Sequence, residues 1–379
     1  MACPSCGNPP VPFELPGASE AVGAFGLLPT PLRMRADPRY TGRGVTMALV
    51  DSGFHPHPDL VLPANRIRAW ADASDDPVRW RTFDPGETPA WPGSDLSSPE
   101  QWHGLMTSAV AGGNGWLSHG LYRGLASGSE LVLVQARQPD GRIPDAAIAR
   151  ALRWLRDRAG GLSLRIVSLS VGGDRLAEPG GNAVDEAVAA LVADGVTVIA
   201  AAGNDGQRRL VPPATAPEAL TIGGIDDKNT FDPAEVRLWH SNYGPSTDGL
   251  FKPELVAPSI WVVAPLLPGT AKAEHAARLF GLRGQEVESQ EAVEKEISEL
   301  KLVTPHYHHV DGTSVAAPLV AGVAACMLQA NPRLTPPLVR KVLLAAARPV
   351  PGAPKERQGA GAIDAGQAVA LALREPMGS

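Results

Sequence analysis

The sequence has little cysteine and no excess of positive charge. Three cysteines in 379 residues are too few for the disulfide framework that stabilises small secreted domains. The formal net charge is -6 and the sequence pI is near 5.9, so we predict no basic surface that would attract nucleic acid. Cys326 lies in an apolar helical pattern, where we expect a buried, unreactive thiol.

The sequence also lacks the marks of export and membrane insertion. Its first residues have neither the basic segment nor the apolar run of a secretory signal peptide. We find no apolar run long enough to cross a bilayer, and we therefore expect a cytoplasmic protein with no membrane contact. Cys3 and Cys6 form a single CxxC pair. Because a zinc site generally needs a second pair, we expect a tail or a surface thiol pair there.

The sequence does contain an alternation of apolar runs and helical patterns. Short apolar runs bounded by turn residues indicate buried strands, and strands alternating with helices indicate a parallel sheet with helices on both faces. We therefore predict an α/β fold. The predicted strands are Val45–Val50, Leu131–Ala136, Ile166–Val171, Val196–Ala202 and Leu220–Ile225, and the predicted helices are Pro144–Ala159, Asn182–Asp194, Thr313–Ala330 and Pro337–Ala347.

The most informative stretch is Gly312-Thr313-Ser314-Val315-Ala316-Ala317-Pro318, which opens a long helix of small apolar residues. A serine at a helix start is either a cap for free backbone N–H groups or a nucleophile beside the positive end of the helix dipole. Pro318 has no N–H to donate to the carbonyl four residues earlier, which belongs to Ser314. The helix start is therefore expected to be adapted around the serine, although proline is also common near helix N-termini.

An acid and a base precede this serine in the chain. Asp51 ends an apolar strand at a glycine turn, and functional groups gather at the carboxyl ends of parallel strands. His103 opens a second small-residue helix. Each alone has an ordinary structural explanation, but the order Asp, His, Ser is one of the chain orders in which catalytic triads occur.

These motifs make the chain resemble the subtilases, the subtilisin-like serine peptidases, over about residues 40–370. Two departures stand beside the triad: His103-Gly104-Leu105-Met106 replaces the commoner HGTH, and the aspartate motif is one residue shorter before His57-Pro58. The motifs, in order, are Asp51-Ser52-Gly53, His103-Gly104 with Val110-Ala111-Gly112, Ser170-Val171-Gly172-Gly173, Ala201-Ala202-Gly203-Asn204, Lys252-Pro253-Glu254-Leu255-Val256-Ala257-Pro258 and the serine motif.

The resemblance implies a three-layer fold and a role for each motif residue. Ser314 is expected to be the nucleophile, His103 its base and Asp51 the residue that orients the histidine. Asn204 is expected to donate to the oxyanion. Sedolisin-like acid peptidases share the serine motif but are expected to use aspartate and glutamate at the oxyanion and base positions, so Asn204 and His103 favour operation near neutral pH.

The resemblance also implies a track for a peptide or protein substrate. Ser170, Val171, Gly172 and Gly173 are expected to pair with a peptide main chain, where glycine allows close approach. The turn at Asp140 and Gly141 is expected to flank the other side of the cleft. Because main-chain pairing reads little of the sequence, broad specificity is the expectation.

No cofactor is required for this chemistry, and we assign no metal ligand. His306, His308 and His309 form a histidine-rich segment, with Asp311 as the only nearby carboxylate. Calcium stabilises many subtilases, and Asp59 is the candidate calcium ligand here. The interval after the histidine helix does not match the family's strongest calcium loop.

We divide the chain into an N-terminal extension, residues 1–39, and a catalytic domain, residues 40–375. The extension is shorter than a usual subtilase propeptide. One interpretation is that it is an inhibitory or docking segment. Residues 71–99 are predicted to be loop-like. Residues 269–303 are predicted to be a helical insertion. Two interpretations of it remain open: a helical segment surrounded by solvent, or a lid or docking arm.

Three functions follow from the sequence. The first is a serine endopeptidase that forms an acyl-enzyme. The second is a dedicated processing protease or transpeptidase acting on one peptide. The third is a non-catalytic binding protein on a peptidase fold, which the complete triad disfavours. No feature of the sequence predicts an oligomeric state.

Overall fold

The computed structural model describes residues 26–91, 98–174, 181–283, 285 and 289–376, and the predicted Cys3/Cys6 arm lies outside them. Its strands are β1 (Thr46–Asp51), β2 (Ile67–Asp72), β3 (Arg79–Thr82), β4 (Glu130–Gln135), β5 (Leu164–Leu169), β6 (Thr197–Ala201), β7 (Leu220–Asp226), β8 (Arg237–Leu238), β9 (Gly244–Pro245), β10 (Phe251–Lys252), β11 (Leu255–Pro258), β12 (Val262–Pro265), β13 (Leu302–Thr304) and β14 (Tyr307–Val310).

Helices cover both faces of the main sheet, as the alternating pattern predicted. Most are short, and the longest is the helix that carries the serine motif. They are α1 (Thr30–Arg33), α2 (Pro58–Val61), α3 (Trp102–Gly112), α4 (Asp145–Arg158), α5 (Ala183–Ala193), α6 (Ala271–Leu282), α7 (Gln290–Glu299), α8 (Thr313–Ala330), α9 (Pro336–Ala346), α10 (Lys355–Gln358) and α11 (Ala365–Ala372).

The main sheet has the strand order β11-β7-β6-β5-β1-β4-β2-β3, with β8 paired to β7. All pairs are parallel except those that β3 and β8 make at the margins. Because β6, β5 and β1 are neighbours, the residues that follow them meet at one edge of the sheet. That edge receives Asp51, Ser170 and Asn204.

Two apolar cores form the layers on either side of this sheet. One includes α3, α8, α9 and α11, and the other includes α4 and α5. By length and composition, α8 is apolar enough to cross a membrane. This differs from our expectation that the sequence has no apolar run of that length. Within the described residues 83% of this helix is buried, and its small side chains pack against α3 and five strands of the sheet.

The predicted strands and helices begin and end within two residues of the observed ones. One of these small differences changes the position of residues assigned to the site. Strand β5 ends at Leu169, so Ser170 and Val171 follow the strand rather than belong to it. Residues 71–99 are not simply a loop, because they include the end of β2 and the whole of β3. Strand β3 is exposed along its whole length. Because it has no buried face, its sequence lacks the alternation of apolar and polar residues that predicts a strand.

Two helices, α6 and α7, occupy the interval predicted to be a helical insertion and lie between β12 and β13. A small antiparallel sheet of order β12-β14-β13 anchors the insertion, and β14 continues into α8. The insertion has an apolar cluster of its own, formed by Leu266, Ala276, Leu279, Val293, Ile297 and Leu302.

The described part of the N-terminal extension packs against the catalytic domain. The buried guanidinium of Arg33 donates to Asp227 and, at 2.5 Å, to the carbonyl oxygen of Trp261. The Leu28 N–H donates to the side chain of Asn229 at 2.9 Å. Residues 26–39 are therefore held on the body of the protein by buried polar contacts.

Candidate active site

The carboxylate of Asp51 holds the imidazole of His103. Asp51 is the last residue of β1 and is 1% exposed, and its Oδ1 lies 2.6 Å from Nδ1 of His103 in the first turn of α3. Its Oδ2 accepts a hydrogen bond of 2.8 Å from the Thr107 hydroxyl, one turn further along α3. The Ser52 N–H donates to Oδ1 at 2.6 Å. The carboxylate is thus fixed from both sides, and its bond to Nδ1 leaves Nε2 as the free ring nitrogen.

The pKa of His103 reflects two opposing effects. Burial lowers it, whereas the negative charge of Asp51 and the hydrogen bond to that carboxylate raise it, and the net direction is upward. A third of the His103 side chain, 34%, remains exposed. The ring therefore combines an orienting partner on one side with access from solvent on the other.

Ser314 lies in the first turn of α8, where the sequence predicted the helix to begin. Strand β14 reaches this helix through Gly312, whose φ of +125° lies where side chains with a Cβ are strained. The Gly312 N–H donates to the Ser259 carbonyl at 2.8 Å, which fixes the turn. Ser314 is partly exposed, whereas the residues on either side of it are buried.

The carbonyl of Ser314 is bound from outside its own helix. Pro318 stands inside α8 and has no N–H for this carbonyl. The Ser170 hydroxyl supplies the missing hydrogen bond, donating to the Ser314 oxygen at 3.0 Å. The structure therefore confirms that Pro318 affects the helix start at Ser314, and it assigns Ser170 a partner that sequence reasoning did not find.

The strand register brings the two halves of the site together. Val50 of β1 lies opposite Leu169 of β5, so Asp51 and Ser170 come next to each other at the sheet edge. Because Asp51 binds His103 and Ser170 binds Ser314, histidine and serine lie at the same edge.

Asn204 is oriented by the residue before the serine. Its Oδ1 accepts hydrogen bonds from the backbone N–H of Thr313 at 2.9 Å and from the Thr313 hydroxyl at 2.8 Å. The amide nitrogen Nδ2 lies 3.6 Å from the position that a Cβ on Gly312 would take. The NH₂ group is thus the part of the amide left to donate beside the start of α8.

The predicted substrate track lies at the same sheet edge. Ser170 and Val171 are buried, whereas Gly172 is exposed. A Cβ on Gly173 would lie 1.7 Å from Asp145 Oδ1, so a larger residue at this position would have to displace the Asp145 side chain. The exposed turn at 140–141 precedes α4, whose first N–H donates to Asp174 at 3.2 Å.

The candidate calcium ligand Asp59 is occupied by a side chain. Asp59 is 1% exposed, and each of its carboxylate oxygens lies 2.9 Å from the hydroxyl of Tyr307. Its Oδ1 also accepts from the Leu117 N–H at 3.4 Å. Calcium needs six to eight oxygen ligands, and no group of three candidate ligands occurs within the described residues. The residues around Asp59 do not fit a calcium site.

The histidine-rich segment is not a shared metal site in the part of the chain that the structure describes. His306 is exposed and precedes β14. Nδ1 of His308 contacts Lys272 Nζ at 3.0 Å, whereas Nε2 of His309 accepts from the Trp261 N–H at 3.0 Å. Adjacent strand residues point to opposite faces, which separates the two imidazoles.

Sequence and structure comparisons relate this chain to known proteases. The chain is 29% identical to "Serine protease AprX" of Bacillus subtilis over 80% of its length and 61% of AprX, and 29% identical to "Subtilisin BL" of Lederbergia lenta over 77% and 79%. It thus spans less than two thirds of AprX.

A solved structure titled as proteases from Pseudoalteromonas arctica has the same fold, with a TM-score of 0.60 at 20% identity, covering 91% of this chain and 94% of that one. The profile of the subtilase family matches residues 42–361. This chain therefore belongs to the subtilase family of peptidases.

Proposed function

We propose that this protein is a serine endopeptidase that hydrolyses peptide bonds through an acyl-enzyme. The observation that carries the proposal is the 2.6 Å contact between buried Asp51 and Nδ1 of His103, at the sheet edge that also holds Ser314. Family membership supports peptidase chemistry. Relatives such as AprX and subtilisin BL are named as a protease and a subtilisin.

In the first half of the reaction, Ser314 attacks the scissile carbonyl. A serine hydroxyl is a weak nucleophile near neutral pH, so Nε2 of His103 takes its proton. Asp51 keeps Nδ1 protonated and stabilises the imidazolium that forms. The oxyanion receives hydrogen bonds from Asn204 Nδ2 and from the backbone N–H of Ser314 at the positive end of α8.

In the second half, His103 returns the proton to the leaving amine, and the acyl group stays on the Ser314 oxygen. A water molecule then gives a proton to His103 and attacks the ester, which releases the acid and restores the serine. The substrate main chain lies along the track at Ser170, Val171, Gly172 and Gly173, as proposed from the motif resemblance.

Covalent labelling tests the assignment of the nucleophile directly. A serine-directed phosphonate should add one label to the folded protein, and peptide mass mapping should place it on Ser314. The matched S314A protein should take no label and should lose activity on the order of a million-fold. Labelling of a different serine, or an unlabelled folded protein, would contradict the proposal. Product masses measured with an amine acceptor present would show whether peptide transfer accompanies hydrolysis.

A further inference from the structure

Two chain segments leave neighbouring strands of the main sheet and both reach the start of α8. Strands β5 and β6 pair in parallel, and residues 170–173 and 202–204 follow them. The first segment binds the carbonyl of Ser314, and the second binds Thr313. Ligands of open α/β sheets bind beyond the carboxyl ends of the strands. We name the space between these two segments the crevice.

The substrate residue that supplies the scissile carbonyl has its side chain at this crevice. In the proposed reaction its carbonyl carbon contacts the Ser314 oxygen, and its carbonyl oxygen faces Asn204 Nδ2 on the second segment. Its main chain runs along the first segment, by the pairing proposed for Ser170 and Gly172. A residue held by both segments carries its side chain into the space between them.

Three consecutive residues connect the two walls of the crevice. Leu210 shares a small apolar cluster with Ala202 of the second segment. The carbonyl of Pro212 accepts from the Gly173 N–H of the first segment at 2.7 Å. Val211 stands between these two residues in the chain, so the stretch spans from one wall to the other and forms a floor.

The side chain of Val211 takes up room at this floor. Its Cγ2 lies 3.1 Å from the position that a Cβ on Gly172 would take. Val211 is half-buried, so part of its side chain remains accessible, and Gly172 beside it is exposed. A β-branched side chain has few χ1 rotamers, so the valine does not turn aside at low cost.

The second wall of the crevice is fixed by hydrogen bonds. The Asn242 N–H donates to the Gly203 carbonyl at 2.9 Å. Asn242 Oδ1 accepts from the backbone N–H groups of Asp205 at 2.9 Å and Gln207 at 3.1 Å. Widening the crevice on this side would break these contacts, so a larger side chain meets Val211 instead.

We propose that Val211 limits the crevice to small side chains, so that the protein cleaves after glycine, alanine or serine in preference to leucine or phenylalanine. The proposal rests on the proposed function, because it names the substrate class of the same site. A large side chain would overlap Val211, and overpacking of a closely packed space is unfavourable. The proposal narrows the broad specificity that main-chain pairing predicts.

The first experiment compares peptide anilides that differ only in the residue before the scissile bond. We expect kcat/KM for the alanine substrate to exceed that for the leucine and phenylalanine substrates by roughly 10- to 100-fold. A ratio between two substrates does not depend on the fraction of active protein, so it stays valid for a variant that folds incompletely. Cleavage of the phenylalanine substrate at an equal or higher kcat/KM would overturn the proposal.

Matched variants show whether Val211 is the cause. V211A should raise the phenylalanine-to-alanine ratio of kcat/KM roughly tenfold, whereas V211I should not raise it. V236A shortens another half-buried valine, in the separate apolar cluster around Ile225 and Val256, and should leave the ratio unchanged. A ratio that V211A does not change would also overturn the proposal.

A binding measurement separates this proposal from the proposed function. Calorimetric titration of S314A with the same substrates should show tighter binding of the alanine peptide, and V211A in the S314A background should remove the difference. If S314A binds with this preference but the intact protein cleaves no peptide, the crevice proposal stands and the peptidase proposal fails. If the intact protein cleaves the peptides without the preference, the crevice proposal fails alone.

Discussion

The side-chain oxygen of Asn204 accepts two hydrogen bonds from Thr313, the residue that precedes Ser314 in the chain. The Thr313 hydroxyl in turn accepts from the Gly203 N–H at 3.0 Å, so the two segments bind each other in both directions. This pairing fixes the amide plane of Asn204 before any substrate arrives. A donor held in advance stabilises charge without a reorganisation cost.

Removal of the Asn204 amide should therefore lower turnover more than substrate binding. We expect N204A to reduce kcat about 100- to 1,000-fold with a KM near that of the intact protein. Steady-state kinetics on a peptide anilide measure both parameters. T313V should give a smaller loss because it removes one of the two hydrogen bonds that hold the amide and keeps the amide itself, and T313S should behave like the intact protein. A tenfold rise in KM at unchanged kcat would place Asn204 in substrate binding instead.

The acid side of the pH profile should depend on Asp51. In the intact protein the carboxylate raises the pKa of His103 above its ordinary 6.5, so kcat/KM should fall as the pH drops through that raised value and protonates the base. D51N removes the raising effects and leaves burial, which lowers the pKa. We expect the acid limb of D51N to move to lower pH while kcat falls about 10⁴-fold.

The pH profiles of D51N and the intact protein are to be measured with the same ester substrate. D51E, which keeps the charge, provides the comparison for the position of the acid limb. An acid limb at the same pH in D51N and the intact protein would show that another group controls it.

Ser170 should help position the nucleophile through the Ser314 carbonyl. S170A removes the only side-chain donor recorded for this carbonyl within the described residues. We expect kcat to fall up to about tenfold, the equivalent of one hydrogen bond. S170T retains a hydroxyl and is the matched control. Because residue 170 also lies at the substrate track, phosphonate labelling rates, which require no peptide, separate positioning from binding.

The contact between Tyr307 and Asp59 should stabilise the fold. Tyr307 is 0% exposed, so Y307F leaves a buried carboxylate without its strongest donor. We expect the free energy of unfolding to fall by about 1–3 kcal/mol, measured by urea denaturation. A chelator should leave the unfolding midpoint of the intact protein unchanged. A lower midpoint in chelator, restored by calcium, would show that a cation site exists elsewhere in the chain.

The sequence predicted the parallel core well because buried strands and small-residue helices have strong local patterns. Helix α8 was predicted with its observed limits, since Gly312 and Asn331 bound its apolar run. Strand β2 was missed because Arg68 interrupts its apolar pattern, and β3 was missed because it has no buried face. The end of β1 predicted the location of Asp51, whereas Ser170 was predicted to lie inside β5, which ends one residue before it.

The remaining features depend on contacts between distant residues. Thr107, Thr313 and Ser170 each orient a predicted site residue through a hydrogen bond that no local motif encodes. Tyr307 and Asp59 are 248 positions apart. The two adjacent imidazoles of the histidine-rich stretch have separate partners, Lys272 for His308 and Trp261 for His309, and no local motif encodes either contact. The cytoplasmic location and the domain limits stay predictions.

Strand β14 sets a limit on how this chain can change its length. Tyr307 contacts Asp59, His308 contacts Lys272, and the strand then leads into Gly312 and the serine. Side chains alternate between the two faces of a strand. Inserting or deleting one residue within 307–314 would therefore turn side chains of this strand to the opposite face, break these contacts and displace Ser314. Variation in length should be tolerated at the turn around exposed His306, whereas the eight residues that follow it should keep a fixed spacing.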